Sequence, residues 1–310
     1  MKLERIVSKI KSIQVDYRQK CAFWPAPVAF VYAWSRYSTI GLDNMHQAVS
    51  RVLEPYFNKS VERNHFDLDA NYILEDIDSN CPIWTIWMQG EDKMPDIVRA
   101  CVNSIRKYAA GKDVILLTFD NIAEFVDIPE DIFKKIEEGK MSLTHLADLT
   151  RLFILSKYGG WWFDSTVYVT KPIIHTRSKM YTLKWNGSSR RNIGGGNNWT
   201  AYLFACGNKN PYMPVLRDSY LSYWMENDKL IEYFMIDYFI NFMYERCPSF
   251  RKEIDCIPID NPNINELYKH RFDVYSDKKW KELTGPRFNK LNWRCGVPNA
   301  NTIFERIISG

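Results

Sequence analysis

Apolar residues recur along this chain in two rhythms, and the change near residue 81 divides it. Before that point the period is helical. Leu3, Ile6, Val7, Ile10 and Ile13 fall three or four residues apart, with Lys2, Arg5, Lys9 and Lys11 between them, which predicts a basic amphipathic helix. The apolar stretch "CAFWPAPVAFVYAW" follows, broken by Pro25 and Pro27. Residues 43–60 then read as a helix and the acidic segment 62–80 as a connector. Beyond Cys81, short apolar runs alternate with helical periods. "PIWTIWMQG" predicts a strand ending at Gly90. "MPDIVRACVNSIRKYAAG" predicts a helix with Pro95 near its first turn and Gly111 at its end, and "DVILLTF" a strand of the kind buried in a parallel sheet. Shorter helices around 121–126 and 129–138 lead into a strong helix from Ser142 to Lys157, placed for capping by Gly159. Strand residues 161–169 follow, closed by Pro172. Such alternation predicts right-handed crossovers and a Rossmann-like, mostly parallel sheet, a class that binds ligands beyond the carboxyl ends of its strands. After 172 come a polar loop, "SSRRNIGGGNN", a strand, "WTAYLFACG", and two helices, "PVLRDSYLSYWMEN" and "IEYFMIDYFINFMYERC". The tail is irregular and closes in a short helix.

Composition narrows the class. With 46% hydrophobic and 25% charged residues over 310 positions, the chain is globular and large enough for a substantial core. Aromatics reach 15%, which suits sugar or base stacking as well as core filling. The net charge of +4 is compatible with anionic substrates or a lipid surface, but it is too small to argue for a nucleic-acid partner, and no motif for one is visible. Seven cysteines, at 21, 81, 101, 206, 247, 256 and 295, form no CxxC pair and read as reduced thiols of a cytoplasmic protein. The amino terminus lacks the continuous apolar centre of a signal peptide, and no stretch reaches the length of a membrane span.

The candidate chemistry gathers in "HLADLTRLFILSKYGGWWFDSTVYVT", residues 145–170. Asp148 and Arg151 are spaced i, i+3 and share a helix face. Asp164 interrupts a strand between Trp161–Phe163 and Val167–Val169, where an unpaired buried carboxylate would cost several kcal/mol. Gly159 and Gly160 are expected to let backbone pass close to a ligand. The alternative is that Asp148 and Arg151 form a structural tie only. Asp237, an acid inside the apolar helix "FMIDYFI", reads either as a cleft residue or as a paired core residue. The five histidines have no metal-ligand spacing, and His145 reads as structural. The glycines 194–196 lack the Lys-Ser/Thr of a P-loop, which excludes that kinase or NTPase reading.

The ordered set "IWTIWMQG" at 83–90, "DVILLTFDN" with "DIPEDI" at 113–132, and "ADLTR", seven residues, "GGWWFDST" resembles the capsular polysaccharide synthesis family of glycosyltransferases. More distantly it resembles the glucosylating domains of large clostridial toxins. The resemblance is continuous from 81 to 172 and thinner beyond. It implies a GT-A fold with an N-terminal helical extension over 1–80 and a catalytic domain over 81–310, its nucleotide-sugar half at 81–172 and its acceptor half at 173–310. It further implies transfer of a sugar from a nucleotide sugar, a UDP-sugar first among them, to a glycan, with retention of anomeric configuration. The acceptor would be a lipid-linked oligosaccharide at the inner membrane face, and the basic N-terminal helix would either rest on anionic lipid there or form a helical arm packed on the body. Carried over residue by residue, Trp87 stacks the base. Asp148 and Arg151 meet the donor sugar and phosphate region, and Asp164 is the first acid of a DXD motif near ribose, sugar and metal. Thr166 stands where the second acid would be. Mn²⁺ or Mg²⁺ is therefore expected at Asp164, although a hydroxyl is a poorer hard-cation ligand than a carboxylate. Lys290 and Trp293, in "RFNKLNW", match a segment that closes over the diphosphate in that family; the alternative is a solvated lysine and a packed tryptophan. Asn197, Asn198 and Trp199 join Asp237 as acceptor-side candidates. The rival reading is a catalytically silent protein that binds sugar nucleotides or glycans.

Overall fold

The computed structural model describes residues 2–21, 26–35, 42–173, 178–184, 193, 198–294, 296 and 300–310. Three helices come first, α1 (Lys2–Lys20), α2 (Ala26–Ser35) and α3 (Leu42–Arg63). They pack on the body. Val49, Leu53 and Phe57 of α3 are fully buried in the same core as Val215, Leu216 and Tyr223. The second half of α1 departs from its apolar stripe, because Asp16 and Lys20 are buried while Ile10 and Val15 are about half exposed. Lys20 is held there by the Ile231 carbonyl and by the face of Tyr32, 4.4 Å away, which compensates its burial.

After the irregular segment 64–82 the expected alternation begins. It runs β1 (Ile83–Ile86), α4 (Asp96–Lys107), β2 (Val114–Leu117), α5 (Ile122–Phe125), α6 (Glu130–Glu137), α7 (Leu143–Tyr158) and β3 (Gly160–Phe163). Then come β4 (Val167–Val169), β5 (Met180–Thr182), β6 (Leu203–Cys206), α8 (Tyr212–Glu226) and α9 (Met235–Arg246). The chain closes with α10 (Pro248–Cys256), α11 (Glu266–Lys269), α12 (Asp277–Leu283), β7 (Phe288–Lys290) and α13 (Ile303–Ser309). The main sheet has the order β2-β1-β3-β6-β5. Strands β2, β1 and β3 are parallel, and β6 runs antiparallel to both of its neighbours. The protein is thus an α/β fold with a mostly parallel sheet. Helices cover it, and Trp84, Trp161, Trp162 and Phe163 fill the interior.

Two expectations change here. The strand read as 161–169 is two strands in two sheets. β3 belongs to the main sheet, whereas β4 pairs antiparallel with β7, matching Val167 to Lys290 and Val169 to Phe288. The break falls at Asp164–Thr166, where the Val167 amide closes a turn onto the Asp164 carbonyl at 2.9 Å. The glycine pair also serves packing rather than a ligand. A Cβ on Gly160 (φ +90°) would lie 2.5 Å from the Pro82 carbonyl oxygen, and one on Gly159 (φ +63°) 2.7 Å from the Gly207 carbonyl oxygen. Both lie at the amino end of β3, one strand length from Asp164.

Candidate active site

Parallel strands deliver their carboxyl ends to one edge of a sheet, and an antiparallel strand delivers its beginning to the same edge. Phe163 at the end of β3 pairs with Leu203 at the start of β6, which sets Tyr202 across from Asp164, and the Asp164 amide donates to the Tyr202 carbonyl at 2.9 Å. Asp164 therefore does not sit inside a buried strand. It stands where the strand stops, with 28% of its side chain exposed.

Its two oxygens meet two different cations. Arg151 Nη2 donates to Oδ1 at 2.8 Å, joined there by Trp162 Nε1 at 3.1 Å, and Lys290 Nζ donates to Oδ2 at 3.0 Å. The same Arg151 Nη2 lies 3.0 Å from Asp148 Oδ1, so one guanidinium ties the helix acid to the strand acid. Helix α7 aims both residues at this point, since it starts at a Ser142 cap that accepts from the His145 amide and ends at Gly159. His145 Nδ1 lies 2.7 Å from Ser142 Oγ, so this histidine belongs to the cap. Arg151 is nearly sealed at 4% exposure, with the Trp162 indole 5.3 Å away, and its Nε and Nη1 have no hydrogen-bond partner. Asp148, at 12%, receives in addition a long bond from Tyr220 at 3.5 Å.

Burial pushes the Asp148 carboxyl up to about 7, outweighing the pull of Arg151 and reinforced by the charges of Asp164 and Asp237. Burial also pushes Asp164 up, but Lys290 and Arg151 outweigh it and hold this carboxyl below its ordinary value. Neighbouring acids thus carry different charge near neutral pH, the arrangement through which sites tune carboxylates. Asp237, in the first turn of α9, accepts from Trp199 Nε1 at 3.0 Å, and burial pushes it to about 6. Arg151 also acts on it electrostatically, so Asp237 and Trp199 border the same cluster. Asn198 is half-buried beside Trp199, and Asn197 lies outside the described residues.

Thr166 and Lys290 meet through the β4–β7 ribbon. Lys290 Nζ donates to Thr166 Oγ1 at 2.8 Å, and the Leu291 amide donates to the Thr166 carbonyl at 2.9 Å. The register of β1 with β3 (Ile83 to Trp161, Trp84 to Trp162), carried on, sets Ile86 level with Asp164 and Trp87 level with Ser165. Its ring meets that of Trp293 edge-on at 6.0 Å, and Trp293 is 42% exposed. The two tryptophans named separately in the sequence therefore form one aromatic corner. Three tyrosines were missed, the first being Tyr220 on Asp148. Tyr202 carries the Lys290 ammonium 4.5 Å from its ring centre, and exposed Tyr233 feels the charges of Asp148 and Asp164. Only the antiparallel placement of β6 brings Tyr202 here, a nonlocal pairing that periodicity does not report.

The side chains present do not fit a divalent cation. Both oxygens of Asp164 are taken by cationic groups, Asp148 is turned to Arg151, and the Thr166 hydroxyl is turned to Lys290. Among the described residues no group of three or more His, Cys, Asp or Glu side chains could hold a metal. Cavities among the described residues lie away from this cluster. One of about 390 Å³ between α4 and α13 includes Arg99, Lys107 and Arg306, one of about 620 Å³ between α3 and α9 includes His46, Arg51 and Tyr244, and one of about 420 Å³ includes Tyr181, Asp260 and Arg287. No helix among the described residues is long and apolar enough to cross a membrane, and the cysteines at 21, 81, 206, 247 and 256 are in no disulfide.

A family model described as "Capsular polysaccharide synthesis protein" matches residues 32–307. No curated protein matches the chain. Among the solved structures that match is one described as "PaToxG Glycosyltransferase". It is 11% identical, with 80% of this chain and 96% of that chain covered and a TM-score of 0.37.

Proposed function

The chain belongs to the capsular polysaccharide synthesis protein family, and from that membership and the geometry around Asp164 we propose that it is a glycosyltransferase. The donor is a nucleotide sugar, a UDP-sugar first, and the acceptor a glycan carried on lipid at the cytoplasmic membrane face. The observation that carries the reading is Asp164 itself, a part-exposed carboxylate at a strand's carboxyl end, gripped by one cation from the preceding helix α7 and one from the distant strand β7. A diphosphate needs cations, sugar hydroxyls need a fixed carboxylate, and a base needs a flat face. Lys290, Asp164 and the Trp87–Trp293 corner supply these along one edge.

In the reaction the bond from the sugar C1 to the diphosphate oxygen breaks, with its electron pair staying on that oxygen. C1 bonds to the acceptor hydroxyl oxygen, and the hydroxyl proton leaves with the diphosphate. Configuration is retained by attack from the leaving-group side. Cations fixed beside the diphosphate lower the barrier by meeting charge as it develops. Asp148 and Arg151, being nearly buried, act mainly by holding Asp164 in place, and Asp237 with Trp199 faces the acceptor. Peripheral membrane contact is supported by the outward side chains Ile10, Val15, Phe30 and Trp34, each about half exposed.

The test is a thermal-shift screen of UDP-, GDP- and CMP-sugars on the full chain, followed by chromatographic detection of transfer to a glycan acceptor. One donor class should raise the melting temperature, and Trp87→Ala should abolish that rise. No response to any donor would remove the enzymatic reading. Stable binding with neither hydrolysis nor transfer would replace it with a sugar-nucleotide-binding role.

A further inference from the structure

We infer that the Lys290 ammonium takes the place of a divalent cation in this enzyme, meeting the donor diphosphate directly so that donor binding and transfer proceed without metal. This inference rests on the glycosyltransferase reading and names the cation of that same site.

The argument starts from position. The motif D-S-T offers a carboxylate at Asp164 and a hydroxyl at Thr166 where a metal-binding version would offer two acids. The Lys290 nitrogen lies between them, 3.0 Å from Asp164 Oδ2 and 2.8 Å from Thr166 Oγ1. A threonine hydroxyl is a weak ligand for a hard cation but a good acceptor for an ammonium, so the residue that spoils the metal site completes the lysine site.

The placement is built into the backbone. Lys290 pairs with Val167 in the β4–β7 ladder, its amide donates to the Ile264 carbonyl at 2.9 Å, and the next amide, Leu291, donates to the Thr166 carbonyl at 2.9 Å. Its side chain is 22% exposed, far less free than a surface lysine, and the Tyr202 ring lies against it. An ammonium has three donors. Asp164 and Thr166 engage two of them, which leaves one for a phosphate oxygen arriving at the open side.

Charge accounting points the same way. Asp164 is already met by Arg151 and Lys290, so a divalent ion would have to displace the ammonium and bind beside the guanidinium. A fixed monovalent cation instead needs no loading step. As the C1–oxygen bond breaks and the electron pair moves onto the diphosphate, Lys290 remains protonated and offsets that charge through a charge-assisted hydrogen bond. The acceptor proton leaves with the diphosphate, and nothing is oxidised or reduced.

The experiment uses the full chain freed of metal with EDTA and checked for residual metal by mass spectrometry. Isothermal titration with UDP is run with EDTA and then with MnCl₂, alongside Lys290→Met and Lys290→Arg. UDP should bind in EDTA, with affinity changing less than about threefold on adding Mn²⁺, since one well-placed cation already serves the phosphate. Lys290→Met should weaken binding by about 10- to 100-fold, the worth of a hydrogen bond to a charged group, without rescue by Mn²⁺. Lys290→Arg should keep most of the affinity. UDP binding that appears only with Mn²⁺, or that Lys290→Met leaves unchanged, overturns the inference while the transferase reading stands. Failure of UDP, GDP and CDP to bind under either condition overturns both.

Discussion

Asp148 offers the sharpest quantitative test, because its desolvation has a definite sign in pH. Burial holds this carboxyl at about 7 in the folded protein against an ordinary 3.8. The folded state therefore binds the proton more tightly than the unfolded state does. The resulting stability is fully present below about pH 4, falls as pH rises to about 7, and is flat above. That difference corresponds to about 4 kcal/mol, more than half of it lost between pH 5 and pH 8. Asp148→Asn keeps the shape and an acceptor for Arg151 but cannot ionise, so its stability should lack that decline. Asp237, pushed to about 6, titrates in the same direction in both proteins, so the difference between the two curves reports Asp148 together with its coupling to Asp237. Urea unfolding followed by tryptophan fluorescence at pH 5, 6, 7 and 8 gives the two curves. The variant should gain on the wild type by about 2–3 kcal/mol across that range. Parallel curves would mean that Asp148 titrates as a solvated acid, and the picture of two differently charged carboxylates sharing Arg151 would fall with it.

Two further outcomes follow from the geometry. Gly160→Ala puts a methyl 2.5 Å from the Pro82 carbonyl at a left-handed φ and should cost about 2–4 kcal/mol by urea unfolding. Gly139→Ala, also left-handed but facing open space, should cost only about 1 kcal/mol, and equal costs would refute the close-approach argument. Replacing Phe30 and Trp34 with Asp should abolish cosedimentation with phosphatidylglycerol vesicles while leaving UDP binding intact, and unchanged cosedimentation would refute a lipid role for that face. Point substitutions suit this better than deletion of residues 1–40, because Ala29, Tyr32 and Ala33 are buried.

What the sequence determined by itself is what local periodicity can carry. The α/β alternation from Ile83 to Phe163 was readable because each element states its own buried face, and the i, i+3 spacing of Asp148 and Arg151 places both on one face of α7. Family membership was readable for a related reason, since the motifs lie close together in the chain. Tertiary structure decided the rest. Lys290 reaches Asp164 from 126 residues away, and Trp199 reaches Asp237 from 38, through pairings that no local period encodes. The interruption at Asp164 is visible in the sequence, but that β3 and β4 belong to different sheets is not, because both are apolar and read as one strand until β7 claims the second. Lys20 is buried although it lies off the apolar stripe of α1, since whether a lysine is exposed depends on whether a carbonyl and a ring are brought to meet it. Hydrophobic spacing specifies which face of an element is covered. Only the packed chain determines which charged groups are brought within 3 Å of one another, because that choice is made by distant segments competing for the same few polar atoms.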